Sequence, residues 1–219
     1  MCAMTCVSLP LGGGFTRVCI KNKTMKISRL LPFVFLFCLN GFAQDVPAVL
    51  RPPKGSPVAL VVFEDLQCPQ CARAGPLLVQ AAQTYKIPLV LHDFPLPMHN
   101  WSMNAAIMAR YFDTHSKSMG DTFRLYIFEH QREIVPDNLR GFAEKFATDR
   151  KIDFPFVIDP AGKLSALVIA DRDLGKSINL DHTPTIYVVS DKKTGKPYVE
   201  VTDLSQLYAT IDAVKKGQR

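Results

Sequence analysis

From Gln44 onward, short all-apolar runs alternate with longer stretches of helical period. Residues 58–63 (VALVVF) form a continuous, β-branched-rich run, the pattern of a strand buried on both faces. Residues 87–94 (IPLVLHDF) read as a second buried strand. Between the two, Leu77, Leu78, Ala81, Ala82 and Tyr85 recur at helical spacing. Pro76 inside that stretch predicts a kink or a restart. Strand–helix–strand in turn implies a right-handed parallel crossover. From residue 95 to about 178 the pattern is helical. The clearest segment is 101–112, with Met103, Ile107, Met108 and Tyr111 on one side; 122–130, 138–147 (opened by Pro136-Asp137) and 163–174 follow. Strand character returns at 185–190, 192–196 reads as a hairpin turn, and 197–201 pairs back antiparallel. Residues 204–216 close as an amphipathic helix with a basic last turn. The Pro-rich stretch 46–57 reads as a short edge strand and a turn. The layout is β–α–β, then helices, then β–β–α, without internal repeats.

The first 43 residues follow a different pattern. Lys26 and Arg29 precede an apolar run at 30–39 (LLPFVFLFCL), after which Gly41-Phe42-Ala43 places small residues at −3 and −1 of a cleavage site before Gln44. This is the pattern of a secretory signal. The run is too short for a bilayer span, which needs about 20 apolar residues. Bulky Phe37 before Cys38 does not fit a lipoprotein site. Residues 1–24 fit no part of such a signal, so Met25 is the expected true start. Charge agrees with this division. The formal charge of +6 comes mainly from Arg17, Lys21, Lys23, Lys26 and Arg29, which no acidic residue offsets; without those five, 21 basic residues face 20 acidic ones. The basicity belongs to the leader, and nothing indicates a nucleic-acid partner. At 47% hydrophobic and 21% charged, the 219-residue chain can bury a core, which excludes disorder and disulfide-stapled mini-proteins.

Cysteine placement narrows the chemistry. Of six cysteines, Cys2, Cys6, Cys19 and Cys38 precede the cleavage point, leaving Cys68 and Cys71 spaced C-x-x-C. A bridge closing so small a loop constrains little of the unfolded chain, so the pair serves redox chemistry or metal binding. Structural zinc takes four ligands, and His92, His99 and His182 show no paired ligand spacing. At the start of a helix, the first sulfur of such a pair meets free N–H groups and the positive dipole end, which favour thiolate. Cys68 is therefore expected as the exposed nucleophile and Cys71 as the buried resolving thiol. Pro69 suits the first helical turn.

The run 63–71 (FEDLQCPQC), the later His182-Thr183-Pro184-Thr185, the helical block between them and the segment 93–99 (DFPLPMH) resemble the DsbA-like thioredoxin-fold thiol:disulfide oxidoreductases. The likeness runs from about Pro57 to Lys216. It implies an α/β thioredoxin-like fold: a first part over 44–95, an inserted helical domain over 96–178, and a second part over 179–219, with 1–43 as signal peptide. It also implies a cis Pro184 facing the cysteines, with Thr183 and Pro184 binding an extended substrate. The implied activity is exchange of the Cys68–Cys71 disulfide with reduced or misfolded exported proteins. A membrane partner of the DsbB or vitamin-K-epoxide-reductase type would then reoxidise the pair, which needs no cofactor beyond itself.

Three departures qualify the resemblance. The dipeptide Pro69-Gln70 carries a neutral amide where DsbA has histidine, which points to a weaker oxidant. The position six before Cys68, where relatives often bury a carboxylate, is Val62, and neither Glu64 nor Asp65 matches it. His182 stands where the family commonly has glycine; beside the sulfurs it would raise the thiolate population, whereas in a solvent-facing loop it would do nothing. Disulfide donation is the leading reading, with a periplasmic reductase or isomerase as the alternative and a copper(I) metallochaperone third. N-terminal sequencing of exported protein should find Gln44 first; a mature chain retaining Cys38 would overturn the leader reading.

Overall fold

The computed structural model describes the backbone of residues 4–11, 14–21, 46–192 and 196–217, and the side chains of 46–192 and 196–217. Two compact units divide between Ala43 and Gln44. In the first, β1 (Met4–Leu11) pairs antiparallel with β2 (Gly14–Lys21), Met4 opposite Lys21. The β-branched residues Thr5, Val7, Thr16, Val18 and Ile20 favour that extended backbone. The apolar run at 30–39 and the cleavage point lie outside the described residues. Among the described residues, no helix is long and apolar enough to cross a membrane.

The second unit is built on a four-stranded sheet. β3 (Val58–Glu64) is its centre, with β4 (Leu89–Asp93) parallel on one side and β5 (Thr185–Ser190) antiparallel on the other; β6 (Tyr198–Glu200) extends β5. All seven residues of β3 are buried because both faces are covered. Val58, Leu60 and Val62 pack with Ala74, Leu78 and Ala81 of α1 (Pro69–Tyr85) and with Leu207 and Ile211 of α6 (Leu207–Lys216). Ala59, Val61 and Phe63 meet Leu50, Phe94, Tyr187 and Val189 on the opposite face. The period-2 alternation of one strand thus serves two cores.

Between β4 and β5 stand α2 (Ser102–His115), α3 (Lys117–His130), α4 (Leu139–Asp149) and α5 (Lys163–Ser177), the helical insertion that the resemblance implies. Their core joins Trp101, Ala105, Phe112, Phe123, Ile127 and Phe146, and it takes in Leu66, Cys68 and Cys71. Phe112 lies 4.5 Å from Phe123 and 4.8 Å from Phe146, ring centre to ring centre.

Two local expectations are corrected. The stretch 46–57 forms no strand; a 3-10 turn at Ala48–Leu50 tucks Leu50 under the sheet instead. Prolines 47, 52, 53 and 57 lack the N–H that a ladder needs. Of the two outcomes predicted for Pro76, the restart is excluded: α1 runs unbroken to Tyr85 with the proline on its exposed side. The turn expected at 192–196 falls partly outside the described residues.

Gly175 sets the approach of α5 to the sheet. A Cβ there would meet the buried Phe94 ring at 2.5 Å and Phe63 at 3.2 Å. Gly175→Ala should therefore cost about 1–3 kcal/mol by overpacking, read as a lower urea midpoint at unchanged m-value. An unchanged midpoint would place α5 away from Phe94.

Candidate active site

Cys68 caps the N-terminus of α1 in extended conformation (φ −78°, ψ 121°), and Pro69 fills the first helical position. Cys71 therefore sits within the first turn. Both are free thiols. Thr183 reaches them from 115 residues away, because β5 lies beside β3 and the loop before it ends over the start of α1. The Thr183–Pro184 peptide is cis, and Cys68 Sγ lies 3.3 Å from the Thr183 carbonyl, to which it donates when protonated. The structure thus brings Cys68, Cys71, Pro69, Thr183 and Pro184 together.

The Cys68 thiol is held down to about 5, foremost by a hydrogen bond from the Cys71 thiol. Burial opposes this, while the Thr183 side chain and the N–H groups of Cys71 and Gln70 reinforce it. Cys71 moves the other way. Burial pushes its thiol far above the ordinary range, and donation to Cys68 pushes it further. One sulfur is poised as thiolate and the other held as a proton carrier. Accessibility differs from expectation, however. Cys68 is only 5% exposed, against 2% for Cys71, because it is packed into the helical core beneath the Thr183 carbonyl. Charge, rather than exposure, distinguishes the two.

The loop before Cys68 is tightly bound. Buried Asp65 accepts from the N–H groups of Gln67 (2.7 Å) and Leu96 (2.7 Å), His99 Nδ1 lies 2.8 Å from it, and its own N–H donates to Cys71 Sγ at 3.4 Å. Gln67 Oε1 accepts from the Trp101 N–H at 2.9 Å. Gln131, just past α3, donates to the carbonyls of Leu66 and Cys68. The parts played by Leu96, His99, Trp101 and Gln131 are invisible in the sequence, since each lies more than 30 residues from its partner in this loop.

Behind the cysteines lies a buried charge network. Arg124 reaches Asp113 (3.1 Å), Asp93 (3.3 Å) and Glu64 (3.5 Å), while Arg110 pairs with Asp93 and Asp171, and Asp171 with His92. Glu64 closes β3 and borders a cavity of about 510 Å³ between α1 and α3. Its Oε1 has no hydrogen-bond partner, and burial raises its carboxyl to about 7 against the pull of Arg124. Its charge also opposes ionisation of Cys71. Sequence reasoning set Glu64 aside because of its position. The available signal was an acid ending an otherwise apolar, doubly buried strand.

Of the two alternatives open for His182, the geometry is that of the solvent-facing residue. It is 60% exposed and turned toward Asp181 (2.9 Å) and Glu200 (4.0 Å), and the strongest influences on Cys68 come from Cys71, Thr183 and Gln70. The exposed Gln70 side chain accepts from Arg73 Nε at 3.1 Å, so its part at the sulfur is played by its backbone N–H. Trp101 and Met108 lie in the helical core, whereas Met103 and Ile107 are half-buried.

Comparison with known proteins agrees with this fold. A family model described as thioredoxin matches residues 53–213. The fold resembles alpha-DsbA1 of Wolbachia pipientis, with a TM-score of 0.62 at 14% identity, covering 76% of this chain and 90% of that one. It also resembles the thiol-disulfide exchange protein alpha-DsbA2 of the same organism, with a TM-score of 0.58 at 21% identity over 75% and 85% of the two chains. Among curated proteins, the Na(+)/H(+) antiporter NhaA 3 of Salinispora tropica is 24% identical over 168 residues, 75% of this chain. The chain spans only a quarter of that relative's length.

Neutral Glu64 stabilises the fold fully below its ordinary value of 4.5, and this contribution is lost as pH rises through about 7. Over that window the protein should lose ~3 kcal/mol relative to Glu64→Gln, which cannot ionise. Urea unfolding of both at about pH 4.5, 6 and 8 reads the difference. Parallel pH profiles would mean that Glu64 stays ionised throughout.

Proposed function

This chain belongs to the thioredoxin family, and we propose that it is a thiol:disulfide oxidoreductase that donates the Cys68–Cys71 disulfide to other proteins. The observation that carries the reading is the opposite treatment of two sulfurs one turn apart: Cys68 drawn toward thiolate, Cys71 kept protonated. In the oxidised protein, a substrate thiolate attacks Cys68 Sγ. The Cys68–Cys71 bond breaks, Cys71 leaves as thiolate and takes up a proton, and a mixed disulfide joins Cys68 to the substrate. A second substrate thiolate then attacks the substrate's own sulfur and releases Cys68 as thiolate. Two electrons pass from substrate to protein, and the substrate gains a disulfide. A low-pKa thiol leaves fastest, so the release step is favoured by the same contacts that hold Cys68 down.

The same asymmetry supports donation as the direction. Return of the mixed disulfide to the starting state needs Cys71 as thiolate, which burial opposes. Stabilising the reduced form makes a disulfide more oxidising. Glu64, titrating near neutrality and acting on Cys71 through its charge, is suited to exchange the proton that Cys71 gains and loses. The backbone of Thr183 offers an extended substrate strand a place to pair. Clients would be reduced exported proteins, with reoxidation by a membrane thiol oxidase; the apolar leader supports export.

Equilibration with glutathione across pH tests the reading. The potential should fall by ~59 mV per pH unit below about pH 5, where two protons accompany two electrons, and by ~30 mV above it, where only Cys71 is protonated. A single slope of ~59 mV up to about pH 8 would remove the thiolate. A potential above about −200 mV supports donation, and one below about −250 mV supports reduction instead.

A further inference from the structure

Gln131 stands immediately after α3, and its side chain turns back toward the cysteines. Its Nε2 donates to the Leu66 carbonyl at 2.9 Å and to the Cys68 carbonyl at 3.1 Å. An amide nitrogen carries two hydrogens, and both are used here. The Cys68 carbonyl also accepts the first helical bond of α1, from the Ala72 N–H at 3.1 Å. A peptide oxygen has two lone pairs, so this one is saturated and its plane is fixed from both sides. Fixing that plane fixes where the rest of Cys68 points. From that backbone its Sγ lies against the N–H groups of Gln70 and Cys71 and within 3.3 Å of the Thr183 carbonyl. Rotation of the Cys68 peptide would swing the sulfur out of that set.

We infer that Gln131 is a positioning residue, which sets the place of the Cys68 sulfur by holding the backbone on either side of Gln67 and thereby ties its reactivity to α3. The inference rests on the dithiol reading for its purpose but on hydrogen-bond geometry for its content. Hydrogen bonding at the helix start favours the thiolate, so a displaced sulfur loses donors and becomes a weaker acid. Gln131→Met keeps the length of the side chain and its packing while deleting both donors. Its Cys68 should show a thiolate-to-thiol ratio about tenfold lower at a given pH, read as thiolate absorbance through a titration. The equilibrium with glutathione should shift by a similar factor toward the disulfide form. Gln131→Ala gives a second reading should methionine crowd the site.

A purely structural role predicts something else: a lower Tm in both redox states with the Cys68 titration unmoved, and that outcome overturns the inference. The titration needs no client protein. A wild type that titrates low yet oxidises nothing would therefore count against the oxidoreductase reading alone.

Discussion

A single buried guanidinium ties the sheet to the helical insertion. Arg124, 2% exposed, faces Glu64 at the end of β3, Asp93 at the end of β4 and Asp113 on α2. The carboxylates of Asp93 and Asp113 cannot share a buried junction with the Glu64 carboxyl without a cation, and a buried cation is equally untenable without them. The sheet and the insertion therefore dock in one arrangement: α3 must bring Arg124 to the strand ends, and α2 must bring Asp113. Arg110 and Asp171 extend the same logic to α5. Removal of one partner from such a cluster typically costs about 3–5 kcal/mol, because the others are left buried and unpaired. The network is thus less a source of stability than a lock on geometry.

That geometry places the cysteines at a boundary. Their helix packs one side on the sheet, through Ala74, Leu78 and Ala81, while the sulfurs join the aromatic core of the insertion. The thiolate-favouring groups come from three places in the chain: the turn of α1 itself, the cis-proline loop, and Gln131 acting through the backbone. Acidity at Cys68 is accordingly a property of the assembled junction, which a short peptide containing C-P-Q-C would not reproduce.

The legible part of this arrangement was local. The VALVVF run announced a doubly buried strand, and C-P-Q-C directly after it announced a helix opened by a cysteine; both stand as read. The cis Pro184 followed from family resemblance, since nothing in three residues encodes an isomer. What escaped was non-local. Glu64 looked misplaced for its role, and the partners of Asp65, His92 and His99 could not be read, because these counterparts lie 31 to 79 residues away and no periodicity reports such pairings. Burial of Cys68 escaped for the same reason, being imposed by the helical core and the Thr183 loop. Pro76 stands on the exposed side of α1 without interrupting it.

The hydrogen bond from the Cys71 thiol to Cys68 has a further consequence. A thiolate is the form of cysteine that peroxide attacks, and the sulfenic acid it yields either condenses with a thiol or oxidises further to irreversible sulfinic and sulfonic acids. At Cys68 the condensing thiol is already in contact, so an oxygen-damaged sulfur collapses with loss of water into the Cys68–Cys71 disulfide. The contact that makes the sulfur reactive also guards it, turning a chemical injury back into the working oxidised state.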